Sequence, residues 1–115
     1  MVKHYEAIYN MPFCLHETNI NLEDLIPTQP RVEKTRIETI TKVQVPIVCV
    51  YQKEKYYVVD GHARSLRAKE LHIKSIRAMI LTPPQKMVFG IARAADELGL
   101  RSLEDVAIID YFSHI

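Results

Sequence analysis

The sequence lacks the features that mark several large classes of protein. Its formal net charge is only +1 over 115 residues, so it has none of the basic excess typical of nucleic-acid-binding domains. No apolar run approaches the roughly 20 residues of a membrane span. The charged segment Met1–Tyr9 does not resemble a signal peptide. These absences predict a cytoplasmic protein without a membrane partner, and leave room only for a local basic patch.

Cysteine is also scarce. Cys14 and Cys49 are far apart and no Cys-x-x-Cys pair occurs, which disfavours a thiolate zinc site. The segment Cys14–Glu17 has no second ligand pair at a usual spacing, so we assign no metal-binding residues. Cys49 lies in the apolar run Ile47–Val50, where a buried, unreactive thiol is expected.

The length and the composition fit one domain spanning residues 1–115. Hydrophobic residues make up 48% and charged residues 25% of the chain, which is ordinary globular composition. The chain is too short for two ordinary domains. Strand and helix patterns alternate, which predicts an α+β (mixed α/β) domain with a small mixed sheet flanked by helices.

Hydrophobic periodicity and turn residues predict the individual elements. Pro27 and Pro30 place a turn at Ile26–Arg31. His72 stands where a glycine would normally end a helix, and we expect it to adopt a left-handed backbone. Lys3–Tyr9 fits a short helix or an extended segment equally well. The predicted strands cover residues 18–25, 47–51, 56–59, 73–81 and 106–111, the second and third forming a hairpin, and the predicted helices cover residues 32–43, 64–71 and 85–98.

The most informative segment runs from Val58 to Ala68. A strand leads through Asp60 and Gly61 directly into a helix. A helix N-terminus presents unpaired N–H groups and a partial positive charge, and phosphates bind there for that reason. Gly61 allows the backbone to turn sharply and to approach a ligand closely. The segment therefore fits a phosphate-binding loop.

The side chains of this loop allow two interpretations. Arg64 lies in the first helical turn, where a cation is unfavourable unless an anion is close. His62 can donate a hydrogen bond and hold a proton near neutral pH, and Asp60 can fix the turn or help to hold a metal on phosphate oxygens. The same residues also fit a common Asp-Gly turn in which Asp60 only caps the helix.

A family resemblance favours the first interpretation. Asp60–Arg64, followed by Leu66 and Ala68, resembles the second motif of the ParB/sulfiredoxin-like superfamily. Ile26–Arg31 resembles the first motif, and the hairpin between the two has a matching length. The resemblance covers about Leu22–Leu81 and implies a single ParB/sulfiredoxin-like domain.

Four activities are attached to this superfamily. Sulfiredoxins carry a nucleophilic cysteine directly before the His-Arg pair, and Gly61 stands there in this chain, which excludes that activity. Partition ParB proteins read DNA through a later domain, for which this chain has no room. A nuclease-like activity would require a cluster of carboxylates that binds two metals, and the sequence has no obvious cluster of this kind. The fourth activity, that of the free L-serine kinases of archaea and some bacteria, is the one that a small stand-alone domain resembles best.

The resemblance to these kinases implies roles for individual residues. The loop would hold the phosphates of ATP or ADP with Mg²⁺ between them, and His62 would take part in catalysis. At the position where these kinases have a Pro-His-Glu motif, this chain has Pro27-Thr28-Gln29. Gln29 cannot accept a proton as a carboxylate does. Glu33 is the candidate base in its place, although an isolated Glu is more often a solvated helix-end acid. Lys34 and Arg36 are interpreted as a solvated helix face. The nucleotide-binding candidates are Gln29, Arg31, Asp60, Gly61, His62, Ala63 and Arg64.

Two hypotheses follow. The first is a phosphotransferase that makes O-phosphoserine from L-serine. The second is a nucleotide-binding ParB-like module, an NTPase switch or nuclease-like, that associates with DNA or a protein partner. Gln29 favours the second hypothesis, and the neutral charge with no DNA-reading domain favours the first. A homodimer through the last predicted strand, Val106–Tyr111, is compatible with both.

Overall fold

The computed structural model describes residues 14–82 and 90–110. Within these ranges the chain forms strands, α-helices and two 3₁₀ turns, which is the mixed α+β class that the sequence predicts. The strands are β1 (Cys14–Asn21), β2 (Leu25–Ile26), β3 (Arg31–Glu33), β4 (Ile47–Gln52), β5 (Lys55–Asp60), β6 (Ser75–Thr82) and β7 (Ala107–Ile109). The helices are α1 (Lys34–Glu38), α2 (His62–Glu70) and α3 (Gly90–Glu97), and the 3₁₀ turns are Leu22–Asp24 and Leu103–Asp105.

The larger sheet is mixed and has the strand order β1-β6-β4-β5-β2. β1 and β5 run antiparallel to their neighbours β6 and β4, whereas β4 pairs parallel with β6 and β2 pairs parallel with β5. Because β2 and β5 are parallel neighbours, their carboxyl ends lie at the same edge. The two segments that follow them, Pro27–Pro30 and Asp60–Arg64, are therefore brought side by side.

The two longer helices cover opposite faces of this sheet. Successive residues of a strand point to opposite faces, and β5 shows this in adjacent positions. Val58 packs in the main core cluster with Leu66 of α2, whereas Tyr57 packs in a second cluster with Ala95 of α3. The prediction of a sheet flanked by helices is confirmed.

The hairpin prediction is also confirmed, and its turn is unusual. β4 and β5 pair in antiparallel register. The turn residues Lys53 and Glu54 have φ of 53° and 62°, the signs of a type I′ turn, which normally selects Asn and Gly. Lys53 also forms an ion pair of 3.8 Å with Asp96 of α3, which ties the turn to the helix.

The end of α2 confirms the prediction for His72, whose φ is 59°. The Ile73 N–H donates to the Ala68 carbonyl at 2.9 Å, and the His72 N–H donates to the Lys69 carbonyl at 3.1 Å. These two bonds are those of a Schellman motif. Gly99, with φ of 72°, follows α3 in the same conformation.

Three predicted elements are corrected. The helix expected over residues 32–43 is only α1, because Val32 belongs to β3, which pairs parallel with β7 in a second, two-stranded sheet. The strand expected over residues 18–25 ends at Asn21, where the Leu22–Asp24 turn begins. Within residues 106–111 the strand covers Ala107–Ile109. Lys3–Tyr9, residues 83–89 and Tyr111 lie outside the described residues.

Cys49 is fully buried in β4. Burial raises the pKa of its thiol to about 12, so the thiolate that would react is not formed at neutral pH. The prediction of a buried thiol is confirmed. Separately, no helix in the described ranges has the length and apolarity needed to cross a bilayer.

Candidate functional site

The loop after β5 is shaped by a bulge and by one glycine. Val48 pairs with Asp60 and Cys49 pairs with Val58, so the register skips Val59 just before the loop. Gly61 follows with φ of +107°, and a Cβ at this position would lie 2.4 Å from Ile47 Cγ2. Only glycine satisfies both the dihedral angle and this contact. The close contact lets α2 begin directly against β4.

The first turn of α2 leaves donors free at the loop. The Ser65 N–H donates to the Gly61 carbonyl at 2.9 Å, and the Ser65 hydroxyl donates to the same oxygen at 2.9 Å. The N–H groups of residues 62–64 precede this first helical bond and have no partner within the helix. Three backbone donors and the positive end of the helix dipole therefore meet at one place.

His62 joins the two motifs. Its side chain is buried, at 5% exposure, and its Nε2 accepts a hydrogen bond of 2.9 Å from the Thr28 N–H. The Thr28 hydroxyl donates to the Val58 carbonyl at 2.5 Å. Thr28 thus fixes the segment after β2 on the segment after β5.

The same contacts decide the protonation of His62. Burial lowers its pKa to about 4, although the charge of Asp60 acts in the opposite direction. With Nε2 accepting from Thr28, the single proton of the neutral ring is on Nδ1. Burial and the bond from Thr28 therefore both favour the neutral ring over the extra proton that the sequence leads us to expect on His62 near neutral pH.

Arg64 is held by the chain itself. Its Nη1 donates to the carbonyls of Val45 and Pro46 at 3.0 and 2.8 Å, and its Nη2 lies 3.7 Å from Asp60 Oδ2. Its side chain is 16% exposed. These contacts account for a cation in the first turn of α2 without an external anion, so the position of Arg64 is not by itself a sign of a phosphate site.

A cleft of about 160 Å³ opens over this loop. It brings together six of the eight sequence-predicted site residues, Gln29 and all of Asp60–Arg64. Arg31 and Glu33 do not line it. β3 alternates exposed, buried, exposed with Val32 inward, which turns these two side chains away. The full lining is Gln29, Val32, Arg36, Ile40, Val59, Asp60, Gly61, His62, Ala63 and Arg64.

Sequence reasoning missed two polar residues at this site. Arg36 is exposed, as the prediction of a solvated helix face requires, but it also lines the cleft, which the sequence does not lead us to expect. Its position next to Ile37, which is fully buried, is the signal that could have found it, because the neighbour of a buried residue flanks the packed face. Thr28 lies within the first motif, but its bond to His62 depends on the pairing of β2 with β5, which the local sequence does not reveal.

A larger groove of about 720 Å³ lies at the opposite end of α2, and Lys69, His72, Glu23 and Glu104 are among its lining residues. These polar side chains are exposed. The buried polar side chains of the described residues, His62 and Ser65, both lie at the other end of the helix. Buried, bonded polar groups are the ones held in fixed positions, so the smaller cleft is the better candidate site.

Comparison with known proteins shows the fold and no activity. No family model matches the chain. An uncharacterized protein of Methanocaldococcus jannaschii is 28% identical over 118 aligned positions, which cover 96% of this chain and 44% of that protein. The crystal structure of a protein from Agrobacterium tumefaciens is similar with a TM-score of 0.62 and 14% identity, over 83% of this chain and 63% of that one. This chain thus spans less than half of its archaeal relative.

Proposed function

We propose that the cleft at the start of α2 binds the phosphates of ATP or ADP and that the domain is a phosphotransferase resembling free L-serine kinase, within the ParB/sulfiredoxin-like superfamily. The observation that carries the proposal is the close contact of Gly61 with Ile47. It places an uncapped helix N-terminus, with the buried His62 beside it, at the floor of a cleft.

The size of the cleft favours phosphate groups over a whole nucleotide. Its volume is about 160 Å³, whereas sites that enclose a drug-sized ligand run from about 300 to 1,000 Å³. The N–H groups of residues 62–64 suit phosphate oxygens, since they are donors without helical partners. The nucleoside therefore extends from the cleft over the surface.

The donor set also fits Mg²⁺ carried by the nucleotide. Among the described residues no group of three or more His, Cys, Asp and Glu side chains is placed to bind a metal. Mg²⁺ is often held by one carboxylate together with phosphate oxygens and waters, and Asp60 lines the cleft with its side chain half exposed. Bound there, the ion would neutralise phosphate charge.

Phosphoryl transfer asks mostly for positioning and charge neutralisation. In the proposed step the serine hydroxyl oxygen bonds to the terminal phosphorus, the bond from that phosphorus to the rest of the nucleotide breaks, and the hydroxyl proton passes to a carboxylate. Asp60 is the carboxylate that lines the cleft. It therefore replaces Glu33 as the candidate base, while His62 positions the loop through its bond to Thr28.

One observation favours the second candidate, a nucleotide-binding module that associates with DNA or a protein partner. Gln29, which stands at the position of the Glu in the Pro-His-Glu motif of the kinases, lines the cleft. Glu33 does not line it. Asp60 then has to serve both Mg²⁺ and the acceptor hydroxyl. A module that binds and releases nucleotide needs no base.

A product assay separates the two candidates. The purified protein is incubated with Mg²⁺, L-serine and either ATP or ADP, and O-phosphoserine is measured by mass spectrometry. Asp60→Asn keeps the shape of the side chain and removes its charge, and Glu33→Gln is the matched control outside the cleft. We expect phosphoserine from the wild type and from Glu33→Gln, and none from Asp60→Asn.

The remaining outcomes decide against parts of the proposal. Phosphoserine lost in Glu33→Gln but kept in Asp60→Asn would return the base to Glu33 and contradict the assignment from the cleft. No phosphoserine with either donor, together with measurable nucleotide binding, would favour the binding module. No nucleotide binding at all would refute the phosphate site.

A further inference from the structure

The cleft is lined by three charged side chains, Asp60, Arg64 and Arg36. His62 also lines it but is neutral, since burial lowers its pKa to about 4. A phosphate that enters the cleft therefore meets one carboxylate and two guanidinium groups. Which guanidinium is available to it follows from their contacts.

Arg64 is already engaged. Its Nη1 donates to two backbone carbonyls, those of Val45 and Pro46, and its Nη2 faces Asp60. A ligand that accepted hydrogen bonds from both Nη atoms of Arg64 would leave these two carbonyls without their donor. Since such losses are unfavourable, Arg64 is better suited to hold the loop than to follow a ligand.

Arg36 has the opposite character. Within the described residues its guanidinium forms no hydrogen bond or ion pair. Its backbone carbonyl accepts a hydrogen bond of 3.1 Å from the Thr39 hydroxyl. The other charged residues of α1, Lys34 and Glu38, pair with each other at 3.7 Å. The neighbouring Ile37 is fully buried and fixes α1, so the base of the Arg36 side chain is held at the rim of the cleft while its end is free.

We infer that Arg36 is the side chain that binds the terminal phosphate of the nucleotide. The inference rests on the proposed function and adds to it a residue that the family resemblance does not assign. A guanidinium can donate two parallel hydrogen bonds to a phosphate, and a free one at the rim makes them without breaking any contact of the fold. Arg36 then sets the preference of the site for a charged phosphate terminus.

Arg31 provides a matched control. It is an exposed arginine five positions earlier in the same segment, and the resemblance makes it a nucleotide-binding candidate. It does not line the cleft. Removing Arg31 changes the net charge of the protein by the same amount as removing Arg36, so an effect of net charge alone would be equal in the two variants.

The test is calorimetric titration of ATP, ADP, AMP and adenosine, with Mg²⁺ and at fixed ionic strength, into wild type, Arg36→Ala, Arg36→Lys and Arg31→Ala. We expect Arg36→Ala to weaken the binding of ATP and ADP by about tenfold or more, because a charge-assisted pair of hydrogen bonds is lost. The effect on AMP binding should be smaller, and adenosine binding should not change. Arg36→Lys should recover part of the affinity. Arg31→Ala should bind as the wild type does.

The failures are distinguishable. Wild-type binding of ATP that is unchanged in Arg36→Ala would overturn the inference and leave the proposed function standing. An equal loss in Arg31→Ala would also overturn it, because the effect would then not be specific to an arginine that lines the cleft. No binding of any of the four compounds to the wild type would refute the proposed function and the inference with it. A melting curve of each variant shows that it is folded, and Arg36→Ala removes no side-chain hydrogen bond or ion pair formed within the described residues.

Discussion

Replacing Gly61 by alanine is the most direct test of how the loop is built. The backbone at this position has φ of +107°, where an L-residue is strained by about 1–3 kcal/mol. The added Cβ would also lie 2.4 Å from Ile47 Cγ2 and 2.8 Å from Ile47 Cβ, and overpacking of this kind costs about 1–3 kcal/mol. Gly61→Ala should therefore lower the free energy of unfolding by about 2–6 kcal/mol.

Gly99 separates the two contributions. Its φ is +72°, and a Cβ there would meet nothing within 4 Å. Gly99→Ala therefore carries backbone strain without steric overlap, and should lose only about 1–2 kcal/mol. The difference between the variants contains the contact with Ile47 together with the difference in backbone strain between the two φ values. Urea denaturation followed by circular dichroism gives both values, and an unchanged slope shows that the unfolded states are comparable.

A double mutant makes the reasoning refutable. Ile47→Ala removes Cγ2, the nearer of the two atoms, so Gly61→Ala should cost less in that background than in the wild type. Equal costs in both backgrounds would show that the overlap is relieved elsewhere. A Gly61→Ala variant no less stable than Gly99→Ala would refute the claim that α2 depends on this contact.

Two further predictions concern the side chains that hold the loop. The pKa of His62 is about 4 in the folded protein, below its ordinary 6.5, so the stability that comes from burying its neutral form is present above pH 6.5 and is lost as the pH falls toward 4. Denaturation of the wild type at pH 7 and at pH 4 should show a loss of unfolding free energy of up to about 3 kcal/mol, which His62→Gln should not show. Equal losses in the two proteins would contradict the assigned pKa. Arg64→Lys should lower the free energy of unfolding by about 1–3 kcal/mol because the carbonyls of Val45 and Pro46 lose a donor. The exposed pair of Arg93 with Glu97 supplies the control, since Arg93→Lys should change stability by less than about 0.5 kcal/mol, and equal effects would count against a structural role for Arg64.

The elements predicted correctly are those whose signals are local. The hairpin of β4 and β5 follows from two β-branched and aromatic runs around a short polar turn. α2 and β6 follow from apolar residues at helical and then at alternating spacing, and His72 and Gly99 mark helix ends by their place in the sequence. In each case the residues that decide the structure are close to one another in the sequence. The loop Asp60–Arg64 is of the same kind, because one bulge and one glycine place all five residues.

The part of the site that sequence reasoning missed depends on partners far away in the chain. Residues 32–43 carry charged residues around Ile37 and Ile40 and predict one helix, but Val32 is drawn into β3 by pairing with Ile108. A strand alternates with period two and a helix turns with period 3.6, so this change of element redirects the side chains on either side of it. Val32 then faces the cleft, and Arg31 and Glu33 face away from it. Because the helix begins only at Lys34, Arg36 comes to the cleft. The exchange of Arg31 for Arg36 as the candidate phosphate ligand is thus a consequence of one three-residue strand, whose pairing partner the local sequence does not reveal.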